Sequence, residues 1–250
     1  MDTSDLIVSV TRRGFLAVGG AAIVVAACTS DGGEDASSVS VTPDGDGATE
    51  VRTPTDVGAD DALAAADFAG LGTCVLIPEQ TAGPFPLDEQ FDRRDITEGY
   101  PGHPLRLGLR VVDDACEPVA GAAVEIWHTD ASGDYSAFTD GGGGKDEGPG
   151  TTFCRGTQTA DDDGIVEFLT IVPGWYRGRA VHIDLRVHLD DEIVLTSQLY
   201  FDAGDLDSIY ATEPYAEFGP ADTSNETDGI AGDPASEGAR RPLAPAATPA

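Results

Sequence analysis

Residues 180–201, AVHIDLRVHLDDEIVLTSQLYF, contain the pattern that decides the fold of this chain. Apolar residues recur with period two through residues 180–189 and 193–201, with Asp190-Asp191 between the two runs. Such alternation places successive side chains on opposite faces of a β-strand, and an acidic pair is typical of a tight turn. The stretch therefore predicts two strands joined in a hairpin.

The same alternation extends upstream to residue 104. Leu105, Leu107, Leu109 and Val111 would share one strand face, and residues 124–127 form a further short strand. Residues 161–164, DDDG, indicate a hairpin turn, and the only helical candidates are residues 61–69 and 205–211. Short strands at a spacing of about 8–12 residues favour an all-β sandwich.

The charge of the chain excludes several functions. It carries 14 basic and 45 acidic residues, a formal net charge of −31, which would repel nucleic acid and anionic lipid. Lys145 is the only lysine. Molar salt shortens the Debye length to about 3 Å and screens such self-repulsion. We therefore expect a halophile's protein, with an ordinary acidic secreted protein as the alternative.

The N-terminus has the pattern of an export signal. Residues 11–16, TRRGFL, form a twin-arginine pattern, and the apolar stretch that follows to Ala27 is too short to span about 30 Å of hydrocarbon. Residues 25–28, VAAC, resemble a lipoprotein box in which Cys28 is lipidated; a short membrane anchor is the alternative. We expect Tat export and a lipid anchor on the outer face of the cytoplasmic membrane.

Composition divides the chain into four segments. Residues 1–28 form the signal, and residues 29–69 form an acidic linker that cannot bury enough apolar surface to order itself. Residues 70–218 carry the alternating pattern and are expected to form the folded domain. Residues 219–250 resemble the linker and are expected to be a disordered tail, in which Asn225 begins a glycosylation sequon.

Three cysteines remain once Cys28 is assigned to the lipid. One disulfide and one buried thiol are the simplest arrangement for three cysteines in an exported domain. We favour a Cys74–Cys116 bond, since both residues lie in loop-like segments, and a buried Cys154. The sequence alone does not decide the pairing.

Residues 173–184, PGWYRGRAVHID, carry the side chains suited to chemistry. A turn rich in aromatic and basic residues leads into a strand on which His182, Asp184 and Arg186 share one face. Polar groups directed into a domain need hydrogen-bond partners or a metal. The chain has no C-x-x-C or H-E-x-x-H zinc motif and no G-x-S-x-G nucleophile elbow.

Five segments in order resemble the intradiol ring-cleavage dioxygenases, non-haem Fe(III) enzymes with a transthyretin-like β-sandwich core. The resemblance covers roughly residues 74–215 and is nearest to the extracellular branch of the family. The segments are residues 78–85 (PEQTAGPF), 118–127 (PVAGAAVEIW), 133–135 (GDY), 173–184 and 198–201 (QLYF). The resemblance implies a catecholic substrate, O2 as co-substrate and ring opening to a muconate-type diacid.

The resemblance also implies residue roles. The family's iron is held by two tyrosinates and two histidines, and Tyr135, Tyr176 and His182 match three of these ligands. Phenolate oxygen is a hard anionic donor that suits Fe(III). In the family the second tyrosinate, here Tyr176, is displaced by the catecholate and accepts a proton. Arg179 matches an arginine that stabilises charge on the substrate ring, and Gln198 matches a glutamine lining the pocket.

The fourth ligand position holds Asp184, where the family has its second histidine. A carboxylate oxygen is a good donor for Fe(III), so one hypothesis makes Asp184 a ligand; the other leaves it outside the ligand set and the site inactive. His188 lies on the same strand face but about 13 Å away and is excluded as a ligand of the same metal. His128 follows Trp127 and points to the opposite strand face, so we expect it to line the pocket, with a role as a metal ligand as the alternative.

Three functions remain open at this point. The first is an exported Fe(III) dioxygenase of intradiol type acting on catechols. The second is a β-sandwich binding or surface module that kept the fold and lost the iron, with Asp184 as the cause. The third is a protein that holds a different metal, such as copper or zinc, at the same site. The sequence determines neither the catechol nor the oligomeric state.

Overall fold

The computed structural model describes residues 4–11, 21–24, 62–68, 77–113, 115–139, 142–143, 148, 150–241 and 244–245. These residues form a β-sandwich, which confirms the all-β fold class. The strands are β1 (Ser4–Thr11), β2 (Ala21–Val24), β3 (Pro104–Asp113), β4 (Ala123–Trp127), β5 (Arg155–Thr159), β6 (Ile165–Ile171), β7 (His182–Leu189), β8 (Glu192–Phe201), β9 (Arg240–Arg241) and β10 (Ala244–Pro245). The helix α1 covers Ala203–Tyr210, and 3-10 turns cover Ala65–Phe68, Tyr215–Phe218 and Pro234–Ala239.

The strands form two five-stranded sheets. The first sheet has the order β10-β1-β2-β3-β6, and the second has the order β5-β4-β7-β8-β9. β7 and β8 pair antiparallel as the predicted hairpin. Asp190 and Asp191 in the turn have φ of +50° and +64°, the combination that a type I′ hairpin turn requires and that aspartate tolerates better than most residues.

The hydrophobic core lies between the sheets. The four alternating side chains of β3, from Leu105 to Val111, were predicted to share one face, and all four are fully buried. They belong to the same cluster as Ile183, Leu185 and Val187, the apolar face of β7. The opposite face of β7 therefore points out of the core and is free to carry polar groups.

The turn at residues 161–164 differs from the prediction. Gly164 N donates to Asp161 O at 2.9 Å, so a turn forms. However, β5 pairs with β4 in the second sheet, whereas β6 pairs with β3 in the first. The turn therefore carries the chain from one sheet to the other and is not a hairpin, a distinction that local turn chemistry cannot make.

Much of the N-terminal region lies outside the described residues, including Arg12, Arg13 and Cys28. β1 and β2 fall within the predicted signal and pair with β3. Of the predicted linker, only residues 62–68 are described. Within the described parts of the chain, no helix has the length and apolar character needed to cross a membrane.

The C-terminal segment, residues 219–241, corrects the expected boundary of the tail. Asp228 is buried and accepts a hydrogen bond from Arg179, and Ser236 Oγ accepts one from Gln80 Nε2 at 2.6 Å. Asn225 is also buried, and its Nδ2 donates to Phe201 O at 2.8 Å, so its amide is not presented for glycosylation. Polar bonds to the sandwich hold this segment, and hydrophobic periodicity gives no signal of them.

The cysteines agree with the prediction where they are described. Cys154 is a free, fully buried thiol, and Cys116 is disulfide-bonded. Cys74, its expected partner, lies outside the described residues, so the Cys74–Cys116 bond stays a prediction.

Candidate metal centre

Four side chains singled out in the sequence converge where β4 ends and β7 begins. Tyr135 lies in the turn after β4, Tyr176 in the loop before β7, and His182 and Asp184 on β7 itself. Tyr135 Oη is 3.1 Å from His182 Nε2 and 2.8 Å from Asp184 Oδ2. His182 Nε2 is 3.4 Å from Tyr176 Oη and 3.8 Å from Asp184 Oδ2. Donor atoms this close together can face a single cation.

Strand register explains part of this convergence. His182 and Asp184 are two residues apart on β7, so they share its polar face. Asp184 pairs in register with Trp127, the last residue of β4, and with Gln198 of β8. The chain that leaves β4 therefore begins its turn toward Tyr135 directly beside Asp184.

The turn that carries Tyr135 is held by a buried aspartate. Asp130 Oδ1 accepts hydrogen bonds from Ser132 N, Ser132 Oγ and Asp134 N at 2.8, 2.7 and 3.1 Å. Gly133 lies in this turn with φ of +88°, and a Cβ there would lie 2.1 Å from Trp175 O. Only glycine lets the turn approach the loop that carries Tyr176 so closely.

The hydrogen bond of the His182 ring fixes its tautomer. Nδ1 lies 2.6 Å from Ala180 O. A carbonyl oxygen can only accept, so Nδ1 carries the proton and Nε2 presents its lone pair to Tyr135 and Tyr176. An imidazole oriented through its second nitrogen is the arrangement that metal-binding histidines use.

Asp184 is oriented in a similar way. Gln198 Nε2 donates to Asp184 Oδ1 at 2.6 Å, while Oδ2 faces the Tyr135 hydroxyl at 2.8 Å. Asp184 is only 2% exposed, so both oxygens are out of reach of bulk solvent. The carboxylate thus has one oxygen held by an amide and the other directed to the centre of the cluster.

Burial opposes charge on all four groups. It raises the pKa of Tyr135 well above its ordinary value, and the Asp184 carboxylate beside it raises that pKa further. Burial also raises the pKa values of Tyr176 and Asp184 and lowers that of His182. A bound metal cation acts in the opposite direction on the oxygen ligands, because it stabilises their anionic forms. The donor set therefore fits a cation of high charge.

Arg179 and Gln198, the predicted pocket residues, belong to the same network. Arg179 Nη1 donates to Tyr176 Oη at 3.4 Å, and its Nη2 donates to Gln198 Oε1 at 2.7 Å. Gln198 therefore links the guanidinium on one side to Asp184 on the other. The structure brings all six residues together; that four of them bind a metal stays a prediction.

Several residues of the site were missed as functional residues in the sequence. The Phe85 ring stacks on Tyr135 with centroids 4.4 Å apart, and Tyr200 Oη donates to Gln198 Oε1 at 2.7 Å. Gln80 Oε1 accepts from Gln198 N at 3.0 Å. All three lie within segments of the family resemblance, which could have drawn attention to them. Asp228, which accepts from Arg179, lies in the expected tail and gave no signal.

The other histidine expected at the pocket lies elsewhere. His128 is fully buried, with Nδ1 2.7 Å from Thr129 O and Nε2 2.7 Å from Thr170 Oγ1 of β6. Both ring nitrogens are therefore occupied within the core, and His128 does not line the site as expected. His188 is 3.2 Å from Glu125 Oε2 and forms no part of the cluster.

Donor geometry, and not cavity size, locates this site. A cavity of about 460 Å³ lies between α1 and the C-terminal segment and includes Ala180 and Val181, but none of the four converging residues lines it. Within the described residues, no three His, Cys, Asp or Glu side chains cluster in a way that could hold a metal. A metal at this site would therefore depend on the two phenolic oxygens.

Comparison with known proteins places these residues in a family context. The Dioxygenase family model matches residues 86–214, just over half of the chain. Chlorocatechol 1,2-dioxygenase of Rhodococcus opacus is 30% identical over 121 residues, which cover 41% of this chain and 45% of that protein. Catechol 1,2-dioxygenase of Pseudomonas sp. strain EST1001 is 33% identical over 91 residues, 36% of this chain and 28% of that protein. The chain thus spans less than half the length of these curated relatives.

A solved structure matches a larger part of the chain. The intradiol ring-cleavage dioxygenase from Tetranychus urticae is 31% identical and superposes with a TM-score of 0.60, covering 67% of this chain and 86% of that one. The family match includes residues 135–198, which build the candidate centre, and ends before Asp228.

Proposed function

Because the chain belongs to the intradiol ring-cleavage dioxygenase family, we propose that it is an Fe(III) enzyme that opens catecholic rings with O2. The observation that carries the proposal is the convergence of Tyr135, Tyr176, His182 and Asp184, with the lone pair of His182 Nε2 directed into the cluster. Two phenolates, a carboxylate and an imidazole make a hard donor set that suits Fe(III). When bound, the ferric ion supplies Lewis-acid activation of the catecholate for reaction with O2.

Tyr176 is the residue suited to accept a proton from the substrate. It is half-buried, whereas Tyr135, His182 and Asp184 are each at most 3% exposed. Its Oη lies next to the Arg179 guanidinium, which offsets negative charge on that oxygen or on an entering catecholate. Tyr176 therefore combines access to solvent with a neighbouring cation, as a base at this position needs.

Aromatic rings form a wall suited to a flat substrate. Phe85 stacks on Tyr135 at an interplanar angle of 22° and packs edge-on against Phe138 with centroids 5.2 Å apart. Such rings exclude water from one side of the cluster and offer apolar faces to an aromatic ligand. This supports an aromatic substrate class.

Asp184 acts in this proposal as an adapted ligand. Its Oδ1 is held by Gln198, so an imidazole in its place would lose that bond and the alignment that comes with it. We expect Asp184→His to lower iron occupancy about tenfold, measured by iron analysis of the purified protein, with His188→Gln as the unaffected control. Higher occupancy or faster ring cleavage in Asp184→His would instead make Asp184 a compromised ligand.

A second candidate function is a binding module that lost its iron. The observation in its favour is Asp184 itself, which replaces a family ligand and forms hydrogen bonds to Tyr135 and Gln198 that need no metal. This alternative predicts a colourless protein that does not consume O2 with catechols.

The deciding experiment is metal loading in high salt. Protein purified from a salt-adapted host, or refolded with iron, should contain one iron per chain and show a tyrosinate-to-Fe(III) charge-transfer band. It should also consume O2 with catechol or hydroxyquinol. Copper or zinc in place of iron, or iron-free protein without O2 uptake, would contradict the proposal.

We further propose that the protein is exported by the Tat route and tethered at the cell surface through Cys28, in a salt-adapted organism. The support is the twin-arginine pattern, the residues VAAC at 25–28 and the net charge of −31. Replacing Arg12 and Arg13 by lysine should retain the protein in the cytoplasm. Cys28→Ser should release it from the membrane fraction, whereas an unchanged distribution of both variants would contradict this proposal.

A further inference from the structure

We infer that Asp228, in the C-terminal segment beyond the family match, is the positioning residue for both Arg179 and His182. The inference rests on the proposed function of the cluster, because it assigns a task to a residue that does not touch the four donor atoms. It makes the C-terminal segment part of the active site.

The Asp228 carboxylate is saturated with hydrogen bonds. Its Oδ1 accepts from Ile230 N and Ala231 N at 2.7 and 2.9 Å, which ties the side chain to its own loop. Its Oδ2 accepts from Arg179 Nε and Ala180 N at 2.8 and 2.7 Å. The side chain is fully buried, so these four donors fix the carboxylate without competition from water.

The first consequence concerns the Arg179 side chain. A guanidinium offers its donors in a rigid planar fork. With Nε bound to Asp228, the two terminal nitrogens are directed to Tyr176 Oη and Gln198 Oε1. Asp228 therefore fixes the orientation of the Arg179 guanidinium, and without Asp228 the long arginine side chain is free to adopt other rotamers.

The second consequence concerns the His182 ring. Asp228 holds Ala180 through its backbone N–H, and the carbonyl oxygen of Ala180 holds His182 Nδ1 at 2.6 Å. The same carboxylate thus fixes the residue that sets the imidazole tautomer. One buried aspartate thus supports the Arg179 guanidinium on one side of the cluster and the neutral His182 imidazole on the other.

The test compares Asp228→Asn with Asp222→Asn in the full chain. Asp222 is a matched control because it belongs to the same segment and its Oδ1 accepts from Gly178 N at 3.1 Å, but it is exposed and does not touch Arg179. In the iron-loaded enzyme we expect Asp228→Asn to lower kcat about tenfold or more with little change in KM. Asp222→Asn should leave both within about twofold.

A second readout needs neither iron nor turnover. The chain has four histidines, so their ring nitrogens can be resolved in a sample with 15N-labelled histidine. His182 should be protonated on Nδ1 alone in the parent chain and in Asp222→Asn, and should populate both tautomers in Asp228→Asn and Asp228→Ala. If Asp228→Ala does not fold, the asparagine variant decides the result.

The two readouts separate the possible failures. A parent chain without iron or O2 uptake would contradict the proposed function, and the tautomer comparison would still decide the role of Asp228. An Asp228→Asn variant that matches Asp222→Asn in both kcat and the His182 tautomer would overturn the inference.

Discussion

His128, directly after β4, and His182, at the start of β7, are two buried histidines in nearly the same chemical state. In each ring Nδ1 faces a backbone carbonyl, Thr129 O at 2.7 Å and Ala180 O at 2.6 Å, so each Nε2 carries a lone pair. His128 Nε2 meets the Thr170 hydroxyl inside the core, whereas His182 Nε2 meets two phenols. The group opposite Nε2, and not the imidazole itself, separates a structural histidine from a candidate ligand.

The largest expected effect comes from His182→Gln. Loss of the Nε2 lone pair should remove iron binding and reduce O2 uptake by about 100-fold or more. Iron content, the charge-transfer band and O2 uptake measure the change, and thermal unfolding checks that the fold is retained. His188→Gln is the control, since His188 contacts Glu125 away from the cluster. If His182→Gln still bound iron, His182 would not be a ligand and would not differ from His128 in this respect.

His128→Ala should instead lower stability and leave the chemistry unchanged. Removing a fully buried ring leaves a cavity and takes one hydrogen-bond partner from the Thr170 hydroxyl, which costs about 3 kcal/mol in the free energy of unfolding. Denaturant unfolding in high salt measures this loss. Iron per folded chain should match the parent protein, and a loss of iron would place His128 in the site after all.

The sequence predicted the strands better than their surroundings. Alternation identified β3, β7, β8 and the Asp190-Asp191 turn, because period-two burial is a local property of a strand. It also placed His128 on the face opposite Trp127, yet the conclusion that this face lines the pocket was wrong. The His128 side chain is buried because β6 of the other sheet packs against it through Thr170, and no local pattern contains that information.

The candidate centre was predicted from family resemblance more than from physics. Tyr135, Tyr176 and His182 are ordinary residues when taken singly, and only their order along the chain marked them. Asp228 could not be found in this way, because it lies outside the matched region and is fixed by backbone donors rather than by an apolar pattern. Buried polar networks are specified by three-dimensional geometry, which composition does not reveal.

Acid should weaken the fold through His128. Burial lowers the pKa of His128 from 6.5 to about 4, so between these values the unfolded chain binds a proton that the folded chain does not. Stability from this residue is complete above about pH 6.5 and is lost as the pH falls toward 4, by about 2 kcal/mol at pH 4.5. Denaturant unfolding at pH 7 and 4.5 should show a loss that is about 2 kcal/mol larger in the parent chain than in His128→Gln, in which the lowered pKa of His182 still contributes. Equal losses in both would exclude His128 as a source.

The smallest expected effect is that of Thr170→Val, which removes the hydroxyl opposite His128 Nε2 while keeping the shape of the side chain. Because Nδ1 of His128 already donates to Thr129 O, Nε2 can only accept, and the substitution leaves it buried without a donor. We expect a loss of about 1 to 2 kcal/mol in unfolding free energy and no change in the charge-transfer band.

The matched substitution at the other histidine is Tyr176→Phe, which removes the phenol oxygen opposite His182 Nε2. It should remove or shift the charge-transfer band and change the stability little. If Thr170→Val altered the band, or Tyr176→Phe altered only stability, the partner of Nε2 would not be what distinguishes the two histidines.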